Sequence, residues 1–327
     1  MPQIKATSYD IGMRGNIGEN MQWNLGAYQT DLKDDIYFVT FENGRGFFDT
    51  IGKTRRRGIE AGFSAKQGKA SFSLNYGLTD ARFEDEFVMA SENNSSSYFD
   101  YNLQANVIKV KPGSRMPGVP LHNLNASVTY EITPKWRAGL SAVVHSESIV
   151  RGNENNEHQV GGTVPRVAYI KVDTSVNPNG YIPLTVTRQT NNPGKVPGYA
   201  TFNFQTSYQF NKEWSASMLV NNLFDKEYFS AGRLGQNPFS PNAVGGTAGE
   251  IGVSGYNHNS SNWLSTNFIA PSAPRGVWFS LNWQFDGKKD KVASDSATLT
   301  EPSEVGKPNQ PLPPSLHRYQ GSPQVVE

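Results

Sequence analysis

LNASVTYEITPKWRAGLSAVV, residues 124–144, settles what kind of backbone this chain builds. Leu124, Ala126, Val128, Tyr130 and Ile132 fall on one side of an extended chain, with Asn, Ser, Thr and Glu on the other. After Thr133-Pro134-Lys135 the alternation resumes with Trp136, Ala138, Leu140, Ala142 and Val144. Strict period two over two long arms joined by a minimal polar turn predicts an antiparallel hairpin. YATFNFQTSYQF, NKE and WSASMLV (199–220) repeat the design, setting Phe202, Phe204, Tyr208 and Phe210 against Trp214, Ala216, Met218 and Val220. Ile59, Ala61, Phe63 and Ala65 lead through Gln67-Gly68 to Ala70, Phe72, Leu74, Tyr76 and Leu78. Tyr9, Ile11 and Met13 precede the turn NIGEN and then Trp23, Leu25 and Ala27. A ninth strand, GVWFSLNWQF, carries Val277, Phe279, Leu281, Trp283 and Phe285. Helical periodicity recurs over no useful length.

Between these hairpins lie long segments, roughly 33–50, 85–120, 150–196 and 231–274, rich in Asn, Ser, Gly and Pro as in SENNSSS and RGNENNEHQVGG. Short turns therefore gather at one end of the strands and long loops at the other, the asymmetry of an outer-membrane β-barrel. Trp23, Tyr130, Trp136, Phe210, Trp214, Trp283 and Phe285 sit beside a short turn or at a strand terminus, where they would form one interfacial girdle. A soluble antiparallel sandwich also alternates, but its strands average five or six residues with turn signals every 8–12. In MLVNNLFDKEYFS (218–230) the apolar face stops at Asn221-Asn222 and Asp225-Lys226-Glu227 follow. From Trp214 to that point the strand spans about 27 Å, or roughly 20 Å of height at a ~40° tilt, close to the ~25 Å apolar band of such barrels. The strand loses its greasy face because it leaves lipid, and the charges then lie in water above the outer rim.

Composition narrows the alternatives. The 327 residues carry a net charge of +1, which gives no bulk electrostatic reason for a nucleic-acid partner. Cysteine is absent, excluding disulfides and thiolate metal sites. No run approaches the ~18 apolar residues of a membrane helix. MPQIKATSYDIG has neither a basic n-region nor an apolar h-region, so no signal peptide is expected in it.

NNLFDKEYFSAG (221–232) closely resembles the N-L-F-D-K-x-Y segment of TonB-dependent outer-membrane receptors, with Asn222, Leu223, Phe224, Asp225, Lys226 and Tyr228 in its places. KTRRRGIEAGF (53–63), PGSRMPGVPLHNLNASVTYEI (112–132), GNENN (152–156) and KVPGYATFNFQTSYQF (195–210) are similar to that family too. So is the last strand, whose alternating apolar residues ending at Phe285 resemble the signal read by the barrel-assembly machinery. The resemblance implies an all-β fold, an antiparallel transmembrane β-barrel. Family barrels have 22 strands and an N-terminal plug that engages TonB. About nine strands and no plug are legible here, so residues 1–286 are expected to be the C-terminal portion of such a barrel, cut from a longer receptor. Residues 287–327, with six prolines and one aromatic, Tyr319, are expected to be a disordered periplasmic tail.

By the same resemblance, the loops at 85–120, 150–196 and 231–274 would capture a scarce solute. A ferric siderophore or similar metal chelate comes first, with cobalamin or a glycan as other cargoes. Arg151, Asn153, Asn155 and Arg233 are the candidate ligand contacts, and outer-membrane lipid and lipopolysaccharide are the expected surroundings. Arg55-Arg56-Arg57 reads as a solvated strand end facing lipopolysaccharide phosphates, or as an inward-facing lure for an anionic ligand through Arg56. GRGFFDTIGKT (44–54) has one residue too many between its glycines for a phosphate-binding loop and lacks the strand–loop–helix context. His145 shares a face with Ser141 but not with Ser146, and no acid completes a triad, so no catalytic residue is expected. His122, His158, His258 and His317 show no metal-ligand spacing, and no metal site or cofactor is expected. The alternative reading is a soluble secreted β-sheet protein whose exposed aromatics hold carbohydrate.

Overall fold

The computed structural model describes residues 3–40, 46–171, 175, 181–237 and 264–284. Phe285, the 287–327 tail and loop residues 238–263 lie outside them. The chain runs from β1 (Lys5–Ile17) and β2 (Met21–Lys33) through the short hairpin β3 (Ile36–Thr40) and β4 (Gly46–Thr50) to β5 (Thr54–Gln67) and β6 (Ala70–Phe83). Then β7 (Phe87–Ala90), β8 (Tyr98–Asp100) and β9 (Ala105–Val110) precede β10 (His122–Thr133) and β11 (Trp136–His145). Next come β12 (Ser148–Ile149), β13 (Thr163–Lys171), β14 (Tyr181–Gln189) and β15 (Lys195–Val196), followed by β16 (Tyr199–Gln209) and β17 (Trp214–Asn221). β18 (Phe229–Asn237) and β19 (Leu264–Pro271) lead to β20 (Gly276–Trp283).

Nine of these strands form one sheet in the order β1-β2-β5-β6-β10-β11-β16-β17-β20, a simple up-and-down meander in chain sequence. They are the nine strands legible from period two. Their turns have local causes. Gly18 and Gly68 occupy positive φ (63° and 58°), where any other residue would be strained. Asn211 Oδ1 accepts from the backbone N–H groups of Glu213 and Trp214, both at 2.8 Å, closing an Asx turn.

Register shows why the alternation matters. Residues directly opposite each other share a face, so a row can be followed across the whole sheet. It reads Ile17, Met21, Ala65, Phe72, Val128, Leu140, Phe204, Val220, Val277, nine apolar residues in nine strands. The row enters at the short-turn end of β1 and leaves at the loop end of β20, so the strands are strongly staggered. Stagger of one sign, accumulated strand by strand, is what tilts strands in a barrel wall. The opposite face carries small and polar side chains, as in the contact of Ser73 with Ser127 at 2.7 Å. Much of the apolar face is open: Ile11 is 78% exposed, Phe279 76% and Leu140 38%, while Val220 is buried. A soluble domain does not leave a patch of that extent uncovered, whereas a lipid-facing wall requires it.

Two local differences from the sequence reading have clear reasons. The alternation is interrupted at Ile132, because the register shifts between Glu131 and Thr133 and Thr133 takes the position opposite Trp136. The long connections also hold more structure than their composition suggests, because β3–β4, β7–β9–β8, β12–β15, β13–β14 and β18–β19 are small sheets of their own.

The NLFDKEY segment is a bracing turn. Asn222 is buried with φ 49°, a region asparagine tolerates better than most residues. Its Nδ2 donates to Lys226 O at 2.9 Å and to Ala273 O at 3.3 Å, and its Oδ1 accepts from Lys226 N at 2.8 Å. Asp225 Oδ1 accepts from Arg275 N at 2.9 Å, tying the turn to the entrance of β20. Leu223 N donates to Phe202 O, Phe224 packs on Phe202, and Tyr228 packs on Tyr199, their ring centroids 5.4 and 4.5 Å apart. Asp225, Lys226 and Glu227 are exposed, as expected of residues above the rim.

Two substitutions test this architecture. Leu140→Arg, on the lipid face in mid-strand, is expected to cost about 2–4 kcal/mol of stability, read as a lower unfolding temperature of the membrane-inserted protein. Asn222→Ala leaves a buried turn without its brace and is expected to cost about 1–3 kcal/mol in the same assay.

Candidate functional site

The long connections cluster at one end of the wall and pack into two small cores. The first joins Tyr37, Val39 and Ile51 with Phe83, Met89, Ile108 and Val110. Phe83 is fully buried, and its ring meets Tyr37 edge-on at 5.4 Å. The second core holds Val150, Val196 and Leu234, with Phe229 and Ile269 packed against it.

Between the cores, residues 152–158 act as a polar keystone. Gly152 O accepts from Ser91 Oγ (2.7 Å) and Asn94 Nδ2 (2.8 Å). Asn155 accepts from Asn94 at 3.1 Å and donates to Ser96 Oγ at 2.7 Å. Asn156 exchanges bonds with the backbone N–H (2.6 Å) and carbonyl (3.1 Å) of Arg115. Asn153 donates to Gly194 O at 3.2 Å and accepts from His158 N at 3.0 Å. One heptapeptide therefore ties together the SENNSSS stretch, the 111–116 turn and the NNPGK stretch. Asn94, Asn153 and Asn155 are buried and bonded, as buried polar groups must be, and Asn156 is half-buried and bonded.

Glu154 is 1% exposed. Its Oε1 accepts from the Tyr37 hydroxyl at 3.2 Å and its Oε2 from Gly152 N at 2.9 Å. Burial pushes its carboxyl above the usual carboxylate range, partly opposed by those two donors. Burial likewise raises the Tyr37 phenol, and the neighbouring Glu154 charge adds to it. The Arg151 guanidinium lies 5.1 Å over the Tyr37 ring, a cation–π contact. Backbone bonds from Arg151 N to Gly232 O (3.0 Å) and from Leu234 N to Arg151 O (2.8 Å) set Arg151 opposite Arg233.

The four candidate contacts thus separate. Arg151 and Arg233 are exposed and side by side, and neither guanidinium has an ion-pair partner among the described residues. Asn153 and Asn155 are buried, with their amides committed to the loop scaffold. Tyr37 and Glu154 escaped the sequence reading, although Glu154 sits in the middle of GNENN. The usable signal was a lone acid inside an asparagine run, which can be buried only with dedicated donors.

Of the three arginines at the start of β5, Arg56 pairs with Asp35 at 3.3 Å on the inward side. Arg55 pairs with Asp31 at 2.7 Å and Arg57 with Asp80 at 3.2 Å on the outward side. His145 bonds Asn123 and packs on Tyr199, while Ser146 Oγ accepts from His122 N. Among the described residues no three His, Asp or Glu side chains gather as metal ligands.

A family model described as "TonB dependent receptor-like, beta-barrel" matches residues 3–223. Among solved structures, the ferric yersiniabactin uptake receptor FyuA from Yersinia pestis is similar at TM-score 0.50 and 15% identity, over 86% of this chain and 30% of that one. The siderophore receptor PiuA from Acinetobacter baumannii gives TM-score 0.49 and 14% identity, over 85% and 28%. The copper transporter OprC gives 0.49 and 17%, over 86% and 31%. The chain therefore spans about three-tenths of the length of these proteins. At such identity the likeness to the Yersinia receptor is one of fold.

The keystone predicts a pH dependence. His158 Nδ1 accepts from Ser95 N at 3.0 Å, and burial holds the imidazole below its ordinary range. A lowered histidine pKa stabilises fully above the unfolded value near 6.5, and that contribution is lost as pH falls through the folded value. Glu154, raised by burial, has the opposite slope, favouring the folded loops as pH falls. Acidification from about pH 7.5 to 5.5 is expected to cost the 91–97 amides less protection in His158→Gln than in the unmodified protein. Hydrogen exchange corrected for intrinsic rates checks it.

Proposed function

Because the chain belongs to the TonB-dependent receptor-like β-barrel family of the outer membrane, we propose that it forms the C-terminal part of a receptor wall that imports a scarce solute, a ferric siderophore or similar metal chelate. The observation that carries this reading is the one-sided loop assembly, packed, hydrogen-bonded and bearing Arg151 and Arg233 side by side. Most such chelates are anionic, and two exposed guanidinium groups with no ion-pair partner among the described residues attract and orient an anion. In this reading the arginines touch the cargo, and Asn153 and Asn155 hold the loop that presents Arg151. TonB acts through a plug domain enclosed by the complete wall and supplies the energy for release.

The carbohydrate-binding alternative gains no support from the outward apolar face, which is continuous across nine strands instead of gathered into a groove. The test is accumulation of radiolabelled ferric chelates by energised, iron-starved cells with and without the protein. Uptake is expected to need the protein, to stop when the proton-motive force is collapsed, and to fall about tenfold or more in Arg151→Ala/Arg233→Ala. Equal accumulation in cells lacking the protein would refute the proposal.

A further inference from the structure

A titratable acid lies directly beneath the exposed arginines. The Arg151 guanidinium rests 5.1 Å over the Tyr37 ring, and the Tyr37 hydroxyl donates to Glu154 Oε1 at 3.2 Å. Arg151 is exposed, whereas Tyr37 and Glu154 are buried. A surface cation and an interior acid thus face each other across the width of one aromatic ring. The other carboxylate oxygen, Oε2, accepts from Gly152 N at 2.9 Å. Both oxygens are bonded to neutral donors, and no cation stands within ion-pair distance of them among the described residues.

The other charges on the elements packed around this acid are engaged elsewhere. Asp35, at the start of the hairpin that carries Tyr37, accepts from Thr54 Oγ1 at 2.6 Å and from Arg56 Nη2 at 3.3 Å. Glu92, next to Ser91, accepts from Gln236 Nε2 at 3.2 Å. Glu157 pairs with Lys111 at 2.8 Å and Glu147 with Lys195 at 2.6 Å. Arg115 is held by Asn156 through its backbone and turns Nη2 to Val119 O at 3.4 Å. His158 accepts at Nδ1 from Ser95 N, and burial favours its neutral form. Arg151, with Arg233 opposite it, is left as the cation whose field favours the Glu154 carboxylate.

Burial therefore pulls Glu154 towards its neutral form, and Arg151 pulls it back. An anion seated on Arg151 cancels that positive field and adds a negative one, in an interior that water screens little. We propose that anion capture at Arg151 is coupled to the uptake of one proton by Glu154, so that the loop assembly holds anionic cargo more tightly as its surroundings become more acidic. The proton comes from bulk water and resides on Oε1, which then donates to the Tyr37 oxygen instead of accepting from it. Oε2 keeps its bond from Gly152 N. The coupling is reciprocal, because a neutral Glu154 no longer competes with the anion for the guanidinium. Its sign follows from linkage: the added affinity is complete below the titration range of the free acid and is lost as pH rises through it. Glu154 touches no cargo and is a positioning residue. The inference deepens the receptor reading and rests on it, since Arg151 must be an anion contact.

The experiment uses the protein purified from outer membranes in a non-ionic detergent. The probe is hexacyanoferrate(III), a compact trianion whose own charge does not change over the pH range used. Its binding is followed by calorimetry from about pH 6.5 to 9.5, in pairs of phosphate-free buffers of different ionisation enthalpy, so that protons taken up appear as a difference in heat. The unmodified protein is expected to take up a substantial fraction of a proton per anion and to lose about tenfold in affinity towards the alkaline end. Glu154→Gln is expected to take up none and to keep the acid-side affinity at every pH. Should that variant not fold, proton uptake by the unmodified protein and by Arg151→Ala decides alone, since only the first is expected to show it. A flat affinity without proton uptake, or uptake that persists in Glu154→Gln or Arg151→Ala, would overturn the coupling. Binding that needs both arginines but ignores pH would overturn the coupling and leave the receptor reading standing. Binding unchanged in Arg151→Ala/Arg233→Ala, or none at all, would remove both.

Discussion

Hydrocarbon offers a peptide group no hydrogen bond, and that constraint organises everything below the rim of this protein. Each backbone N–H and C=O must find its partner in a neighbouring strand, at a cost of several kcal/mol for each one left over. The nine wall strands meet the demand with eight consecutive antiparallel pairings in chain order. β1 and β20 each have a neighbour on one side only, and a lipid-embedded sheet cannot end in open edges. The sheet is accordingly an arc of a closed wall, and its stagger from Ile17 to Val277 is the tilt such a wall needs.

Once pairing is fixed, each side chain's parity decides its surroundings, and the strands record where the solvent changes. Along β6 the outward positions run Phe72, Leu74, Tyr76, Leu78 and then Asp80 and Arg82. The inward positions begin with Ser71, Ser73 and Asn75 and finish with Ala81 and Phe83, both buried in the first loop core. Within two residues of Leu78 the strand exchanges its apolar and polar faces. No backbone feature causes this inversion. Lipid favours apolar groups outside, whereas water above the rim favours them inside, against the packed loops. The same inversion explains why MLVNNLFDKEYFS abandons its alternation at Asn221.

This is also why the wall was legible and the loop assembly was not. Period two is local, so hairpins such as 124–144 declare themselves within twenty residues, and their short turns fix register with little freedom. The loop cores join Tyr37 to Phe83 and Ile108, or Val150 to Val196 and Leu234, across separations that no local pattern records. Asn- and Ser-rich stretches such as SENNSSS and GNENN carry the composition of solvated loops. Here Asn94, Asn153 and Asn155 are buried, because the polar groups of one stretch satisfy those of the other. Polarity alone made Asn153 and Asn155 look available to a ligand, whereas burial spends them on structure. Of the candidate contacts, only the arginines kept their charged ends exposed.

That division of labour has a mechanical consequence. Arg151 lies on the ring of Tyr37, Tyr37 meets Phe83 edge-on, and Phe83 is the last residue of a strand that continues down into the lipid belt. The Tyr37 hydroxyl is held by Glu154, whose own position is fixed by Gly152 and the bonds from Ser91 and Asn94. An exposed guanidinium is thus referenced to the membrane wall through two ring contacts and a buried hydrogen-bonded acid. A long flexible side chain ordinarily surrenders about 2 kcal/mol of rotamer entropy when it grips a ligand, and one already laid along an aromatic face surrenders less. The buried acid is expensive, and a neutral carboxyl donating and accepting in place is a cheaper occupant than a carboxylate, which is the direction in which its burial drives it. Rigidity at the rim is therefore built from the most polar part of the chain, and it can be built there because the wall beneath already supplies a fixed frame.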